Sequence, residues 1–332
     1  MKKTYILFLL FTFSFVSLFS QQKIDSLWIK VENFELKELP KSALQIVDSI
    51  YDIATREKNS NQIIKSLLFK SKFSLVLNEN AQFGIINDFK KQIENQSFPT
   101  KNILHNILGN LYWQYFKQNR YQFYNRTRTN KKVDSIDFRT WDLNTLFKEV
   151  HIQFQKALIN KEELSKTDVK TFKDILQLEK DSEIYRPTLF DFLTNNALEF
   201  YTTTEHNITK PTFHFKLDAL KYLSNTTTFA KLDIQTRDSL SLQYNALKTY
   251  QSLIKAHLND LDKRALAVIN IERLKFVSKN ASNKIDEIGF FQINKKCLHE
   301  IFLLEKKFSF WWTTDIYEKS IYKQDSINEI LK

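Results

Sequence analysis

The stretch LYWQYFKQNRYQFYNRT, residues 111–127, is rich in aromatic residues and arginine and contains no acidic residue. As a helix it would carry one apolar stripe, with Trp113 to one side of it. Aromatic residues at helical spacing usually pack in a core, because each ring buries a large area, whereas a platform that stacks on bases or sugars needs them exposed. The stretch therefore predicts a packed helix whose end, from Arg120 to Arg126, is free for another role. The predicted stripe consists of Leu108, Leu111, Tyr112, Tyr115 and Phe116.

Glycine and proline are scarce along the whole chain, with 3 Gly and 4 Pro in 332 residues. Tight hairpins, phosphate-binding loops and the dinucleotide-binding fingerprint all require glycine, where the backbone has positive φ or approaches a ligand closely. β-Sandwiches need such punctuation between their many short strands. The composition therefore predicts an all-α protein.

Amphipathic segments of helical period, separated by short polar turns, follow one another through most of the sequence. Pro40 is well placed for the first turn of one helix, and others are expected at about 236–258, 262–278 and 288–306. We predict an array of antiparallel helical hairpins, a tetratricopeptide-like α-solenoid with long irregular loops, in which pairs recur at roughly forty residues. Residues 125–140 have no apolar period and predict one of these loops.

The first twenty residues have the pattern of a signal peptide, with Lys2 and Lys3 before an apolar run and Ser17 and Ser20 near the expected cleavage site. The mature protein would begin at Gln21, and we expect it in the periplasm or envelope, with no integral membrane segment. We divide it into a helical-repeat region, 21–208, and a second helical region, 209–332. The last residues still carry an apolar stripe, which favours a chain truncated before further domains.

The formal net charge of +11 is spread along the chain rather than concentrated in one arm. Nucleic-acid-binding proteins usually concentrate positive charge on one face, so we expect no nucleic-acid partner. Cys297 is the single cysteine, which excludes an internal disulfide. Stability must therefore come from packing.

No catalytic, metal-binding or cofactor-binding site is predicted. In CLHEIFL, residues 297–303, His299 and Glu300 begin a zinc-protease helix pattern, but Leu303 stands where the second histidine is needed. The many carboxylates are expected on solvated helix faces. The other histidines are scattered singly and are interpreted as surface or satisfied core residues: His105, His151, His206, His214 and His257.

Three blocks together resemble a known family. They are the opening stretch, DFRTWDLNTLF at 137–147 and YRPTLFDFLTNNALEFY at 185–201. In this order after a signal peptide they are similar to the N-terminal helical region of large bacterial alpha-2-macroglobulin-like proteins. The resemblance covers roughly residues 24–278. It implies a secreted relative of protease-trapping inhibitors, although the macroglobulin domains, the bait region and the thioester motif of that family are not in this sequence.

The resemblance singles out several residues within these blocks, and two roles for them stay open. Arg139 and Arg186 could form buried bidentate pairs with carboxylates that fix the long loops. Alternatively, the group could line a groove for a partner protein, where Trp, Tyr and Arg are frequent. The candidate interaction or loop-anchoring residues are Trp113, Arg120, Tyr124, Arg126, Arg139, Trp141, Arg186 and Pro187.

These observations favour a non-enzymatic, exported helical scaffold that presents a protein-interaction surface, without a cofactor. Its partner would be another protein or the missing macroglobulin domains. The alternative is an envelope carbohydrate-binding or sugar-processing helical protein, which would be favoured by exposed Trp113 and Trp141 beside an acidic cleft.

Overall fold

The computed structural model describes residues 22–125, 137–176, 181–207 and 213–281. These residues form α-helices and short 3₁₀ turns without a β-strand, and a single isolated antiparallel bridge joins Asp168 to Thr188. The all-α prediction is confirmed. The predicted signal peptide, Arg126, residues 126–136 of the basic loop, the segment around Cys297 and the last apolar stripe lie outside the described residues.

The helices fall into two compact units. Within the described residues, the first unit comprises 22–96 with 174–176, and the second comprises 97–173 with 181–281. The predicted domain boundary near Thr209 lies outside the described residues, while helices on both sides of it belong to the second unit. In the first unit the helices are α1 (22–36), α2 (Pro40–Glu57), α3 (Ser60–Leu77) and α4 (Gln82–Asn95).

The core of the first unit lies among α1, α2 and α3. Apolar residues at helical spacing, such as Ile24 and Val31 on α1 and Val47 and Ile50 on α2, are completely buried there. The indole nitrogen of Trp28 donates a 2.7 Å hydrogen bond to the side-chain oxygen of Gln62, so the polar edge of this buried ring is satisfied. The helices α2 and α3 pack side by side after a two-residue turn and form a helical hairpin.

The second unit contains nine helices among its described residues. They are α5 (Thr100–Gln118), α6 (Arg120–Asn125), α7 (Leu143–Ala157), α8 (Lys161–Leu164), α9 (Ser182–Tyr185), α10 (Leu189–Tyr201), α11 (Thr226–Lys231), α12 (Leu242–His257) and α13 (Arg264–Asn280). Two predicted boundaries move. The helix expected at 236–258 begins at Leu242, because the side chain of Ser241 caps it, and the helix expected at 262–278 is displaced to Arg264–Asn280.

The central element of the second unit is α5, which is buried on nearly all sides between α7 and α10. Its buried polar residues bond to neighbouring backbones. Asn102 donates to the carbonyl oxygens of Ala157 and Ile159 at 3.0 and 2.8 Å, and Asn106 donates to that of Leu193 at 2.9 Å. Buried amides matched to carbonyls in this way fix the position of α5 along its neighbours, because a shift would leave them unpaired.

The helix pairing is less regular than a uniform array of hairpins. Neighbouring helices pair as α2 with α3 and as α12 with α13, but α5 packs most extensively on α7, with α6 and a 3₁₀ turn intervening. These pairings therefore show helical hairpins but do not confirm a regular solenoid.

Some turns use residues other than glycine in the left-handed backbone region. Lys58, with φ 55° and ψ 33°, ends α2, and its N–H bonds to carbonyl oxygens of the last turn. Within the described residues, the others with positive φ are Glu38, Asn160 and Asp181. A side chain in this region costs about 1–2 kcal/mol relative to right-handed geometry.

Candidate functional site

The aromatic residues of the α5 part of the opening stretch, from Tyr112 to Phe116, lie in the core of the second unit, as the helical spacing predicts. Trp113 and Trp141 are both buried. Trp113 stacks on Phe116 with ring centroids 5.2 Å apart and meets Phe147 and Phe200 edge to face. These rings join α5, α7 and α10 in one cluster, so in the folded chain Trp113 serves packing rather than stacking on a ligand.

The turn at 137–142 is held against α5 by its aromatic side chains. Phe138 is completely buried, 4.8 Å from Tyr115 between ring centroids, and Trp141 stacks on Tyr112 at 5.8 Å. Sequence analysis singled out Trp141 in this block but not Phe138. Burial of these apolar rings therefore holds the block against α5 and stabilises the short turn.

Arg139 forms a bidentate pair with a carboxylate, but this partner lies in its own turn and the side chain is not fully buried. Its guanidinium forms a bidentate pair with Asp137, two residues before it, at 2.9 Å from Nε to Oδ1 and 2.7 Å from Nη2 to Oδ2. The Arg139 side chain is 35 % exposed. Hydrogen bonds from Arg139 hold the pKa of Asp137 below its usual range. This pair stabilises its own turn, because Arg139 binds a carboxylate that is close to it in sequence.

Arg120 and Tyr124 meet at one buried carboxylate. The short helix α6 begins after α5 ends, and it turns both side chains toward Glu205, which Arg120 Nη2 reaches at 2.8 Å and the Tyr124 hydroxyl also contacts. Burial, followed by the hydrogen bond and charge of Glu205, raises the pKa of Tyr124 to about 12. Phe123, on the inner face of the same helix, is buried. The structure therefore brings two predicted residues together and adds Glu205, which was not singled out from the sequence.

The third block fastens the start of α10 to its neighbours. Arg186 Nη2 lies 3.6 Å from the carboxylate of Glu272 on α13, a long pair in which both side chains are a quarter exposed. The Pro187 carbonyl accepts a hydrogen bond from the backbone N–H of Val169 at 3.1 Å. Burial raises the pKa of Glu272, although the positive charges of Arg186 and Lys275 lower it in part. Arg186 thus ties this block to a helix, although not as a buried bidentate pair.

A cluster that sequence analysis missed lies at the first turn of α10. Asp191 and His257 are almost completely buried, and His257 Nε2 lies 2.6 Å from Asp191 Oδ1. The other ring nitrogen, Nδ1, lies 2.7 Å from Oδ2 of the half-exposed Asp260. The second oxygen of Asp191 accepts from both the N–H and the hydroxyl of Thr188, in a capping box at the start of α10.

Two carboxylates therefore face the two nitrogens of one histidine. Burial alone would lower the pKa of His257, but the hydrogen bonds and charges of Asp191 and Asp260 outweigh it and raise the pKa to about 9. The buried His105 and the half-buried His151 behave oppositely, because burial lowers the pKa of both. His257 is a satisfied core histidine, in agreement with the sequence interpretation, whereas the buried Asp191 departs from the general expectation that the carboxylates are solvated.

One local signal could have marked Asp191. Thr188 precedes it by three residues, which is the spacing of a capping box at a helix start. The pairing with His257 has no local signal, since the two residues are 66 positions apart. Such a pair becomes visible only when α10 and α12 pack together.

The chemistry that this cluster can perform is limited by its hydrogen bonds. Both imidazole nitrogens and both Asp191 oxygens are engaged within the cluster, so no ring nitrogen faces a substrate hydroxyl or water. A general base needs such a free nitrogen within hydrogen-bond reach of the proton that it removes. Among the described residues, no group of three or more His, Cys, Asp or Glu side chains could hold a metal ion.

A buried arginine forms another tie in the second unit. Arg273 on α13 donates to the backbone carbonyls of Tyr222 and Ser224 at 2.9 and 2.8 Å and to the side-chain oxygen of Asn270. Its guanidinium carbon lies 4.2 Å from the centre of the Phe229 ring. The planar fork of five donors suits this role, because it satisfies several carbonyls at once. Arg273 was not singled out from the sequence, where nothing local distinguishes it from exposed arginines.

Comparison of the chain with protein-family models, with curated proteins and with solved structures gives no match. The resemblance to alpha-2-macroglobulin-like proteins therefore stays a hypothesis. Across the described ranges, no helix combines the length and the apolar character that crossing a membrane would require.

Proposed function

We propose that the protein is a non-enzymatic, exported helical scaffold whose second unit presents a protein-interaction surface at α6. As in the hypothesis from the sequence, its partner would be another protein or macroglobulin domains of the kind that its blocks resemble. We further propose that its hairpins belong to a repeat-like array with irregular insertions.

The observation that carries the proposal is the outer face of α6. Tyr121 is 82 % exposed there, and Arg120 and Tyr124 on either side are also partly exposed. Tyrosine and arginine are enriched among the residues that dominate protein–protein binding. Single exposed aromatic residues are common on protein surfaces. A group of large exposed side chains more often marks an interaction site.

The inner face of α6 supports the same proposal. Phe123 is buried against Tyr115 and Phe116, and Glu205 holds Arg120 and Tyr124 from below. A surface that is already fixed before binding loses less conformational entropy on association. The α6 face is therefore a preorganised platform.

The test is site-specific crosslinking in the cells that produce the protein. A photoreactive phenylalanine analogue would replace Tyr121 or, as a control, Leu261, which is exposed in the same unit. We expect a discrete protein adduct at position 121 that is missing at position 261. The purified partner should then bind the Tyr121→Ser variant at least about tenfold more weakly, roughly the effect of losing 1.4 kcal/mol. Equal adducts at both positions, or equal affinities for Tyr121→Ser and Leu261→Ser, would contradict the proposal.

Export and lack of enzymatic activity are tested separately. N-terminal sequencing of the protein from the envelope fraction should find Gln21 as its first residue, and a chain that retains Met1 in the cytoplasm would contradict export. Cleavage of a general protease or glycosidase substrate panel by the purified chain would contradict a pure scaffold.

The carbohydrate-binding alternative loses the observation that would favour it. Trp113 and Trp141, the residues expected to flank an acidic cleft, are both buried among other aromatic rings. A sugar would have to displace this packing before it could stack on either indole.

A further inference from the structure

The Asp191–His257–Asp260 cluster connects parts of the second unit that are distant in sequence. Asp191 lies in the first turn of α10, His257 is the last residue of α12, and Asp260 lies in the turn that leads to α13. Thr188, which bonds to Asp191, also belongs to the segment that pairs with Asp168. One imidazole ring therefore holds the start of α10 to the end of α12.

The geometry of the ring requires a particular protonation state. Both nitrogens face carboxylate oxygens at 2.6 and 2.7 Å, and a carboxylate can only accept. An imidazolium has two N–H donors and satisfies both, whereas a neutral imidazole has one and leaves a lone pair directed at a negative oxygen. Loss of one proton therefore converts a stabilising contact into a repulsive one.

We propose that this cluster is a proton-dependent latch, which fastens the α10 start to the α12 end while His257 is charged and loosens when the ring loses its proton. This inference is independent of the interaction surface proposed on α6.

The charges that raise the pKa of His257 are those of Asp191 and Asp260. In the turn after α12, the Lys263 ammonium is directed at the Leu258 carbonyl oxygen at 2.8 Å, and Arg264 at the start of α13 is engaged by Asp262. The element α11 meets α12 through carbonyl oxygens that accept from the Gln251 amide. Beside the α10 start, Arg186 pairs with Glu272, and the carboxylate of Asp168 accepts from the Lys170 N–H.

The direction of the pH effect follows from linkage. The pKa of His257 is raised in the folded protein to about 9 from the ordinary 6.5, so the folded state holds the proton more tightly. Its stabilisation is complete below pH 6.5 and disappears as the pH rises to about 9. Between these values, one linked proton changes the opening equilibrium by about tenfold per pH unit.

The experiment measures ring protonation and local opening in the same protein. NMR of histidine labelled with ¹³C at Cε1 would follow the rings of the intact mature chain between pH 5 and 10. Hydrogen exchange, expressed as protection factors corrected for intrinsic rates, would follow the amides of α10. We expect the His257 signal to titrate near pH 9, and protection in the first turn of α10 to fall by tens of fold between pH 7 and 9.

Variants separate the latch from a general effect of pH. In Asp260→Asn the outer carboxylate is lost while the buried pair stays, and both the His257 titration and the loss of protection should move to lower pH together. His257→Gln should make the protection of this turn independent of pH over the same range. His151→Gln is the matched control, because His151 is also hydrogen-bonded to its neighbour, at 2.9 Å to the Tyr201 hydroxyl, and it should leave the pH profile unchanged.

A His257 that titrates at or below pH 6.5 would overturn the proposal. So would an Asp260→Asn variant whose protection profile keeps the wild-type midpoint. Because Asp260 is half exposed, this variant keeps the test decisive even if His257→Gln fails to fold.

Discussion

Gly84 and Gly109 both lie inside helices, but their surroundings differ. A Cβ atom built on Gly84 in α4 would meet nothing within 4 Å. A Cβ atom on Gly109 in α5 would lie 3.2 Å from the ring of Phe154, which is completely buried on α7. Glycine therefore permits close approach of α5 and α7 at Gly109, while at Gly84 it only weakens the helix.

Alanine at these two positions should change stability in opposite directions. Gly84→Ala is expected to raise the free energy of unfolding by about 0.5–1 kcal/mol through helix propensity. Gly109→Ala should lower it by about 1–3 kcal/mol, because the enclosed Phe154 ring has little room to move. Urea denaturation of each variant checks both signs, and a stabilised Gly109→Ala would show that α7 yields easily.

Residue types alone indicated which aromatic side chains are buried, but not which charged ones. The stripe through Tyr112, Tyr115 and Phe116 was correctly placed in a core, because large rings at helical spacing are stable when they are buried. Asp191 and Glu205 are buried, whereas the carboxylates as a group were expected on solvated surfaces. Their burial depends on His257 and Arg120, which lie far from them in sequence and come close only after the helices pack.

At the scale of elements, the position of α6 depends on Glu205. This carboxylate is buried and accepts from both Arg120 and Tyr124, whereas Lys117 at the end of α5 forms a partly exposed pair with Glu199. Removing a partner from a buried charge leaves that charge uncompensated, and removing a surface ion pair has little effect.

We therefore expect unequal effects from two similar substitutions. Arg120→Met should lower the free energy of unfolding by about 1–3 kcal/mol and speed hydrogen exchange in Arg120–Asn125. Lys117→Met should change stability by less than about 0.5 kcal/mol. Exchange in α6 that is the same in both variants would show that Phe123, rather than Glu205, holds the helix.

Helix existence was predictable from periodicity, and helix ends were less so. The predicted start of α12 near 236 is early, because Asp238 accepts a hydrogen bond from the Phe215 N–H and Ser241 caps the helix. The first of these bonds joins residues 23 positions apart, so no local pattern reveals it. The pairing of α5 with α7 likewise skips the short α6, which an expectation of uniform hairpins does not anticipate.

For the whole molecule, the division into two units predicts how a local change spreads. Gly84 belongs to the first unit and Gly109 to the second. In the intact chain, Gly84→Ala should slow hydrogen exchange within 22–96, and Gly109→Ala should speed it within 97–173 and 181–281. Mass spectrometry of peptides from both units checks this, and equal changes in both units would indicate one cooperative structure.

Two residues other than glycine that follow helix ends have left-handed backbone geometry, Glu38 and Lys58, and replacing them should stabilise the protein. Lys58→Gly should raise the free energy of unfolding by about 0.5–1 kcal/mol, since glycine adopts this geometry without strain. Gln45→Gly, an exposed change inside the same helix, should instead lower it by a similar amount, and thermal denaturation compares the two. Lys58→Gly combined with Glu38→Gly would give a more stable protein for crystallisation, with the core and the α6 face unchanged.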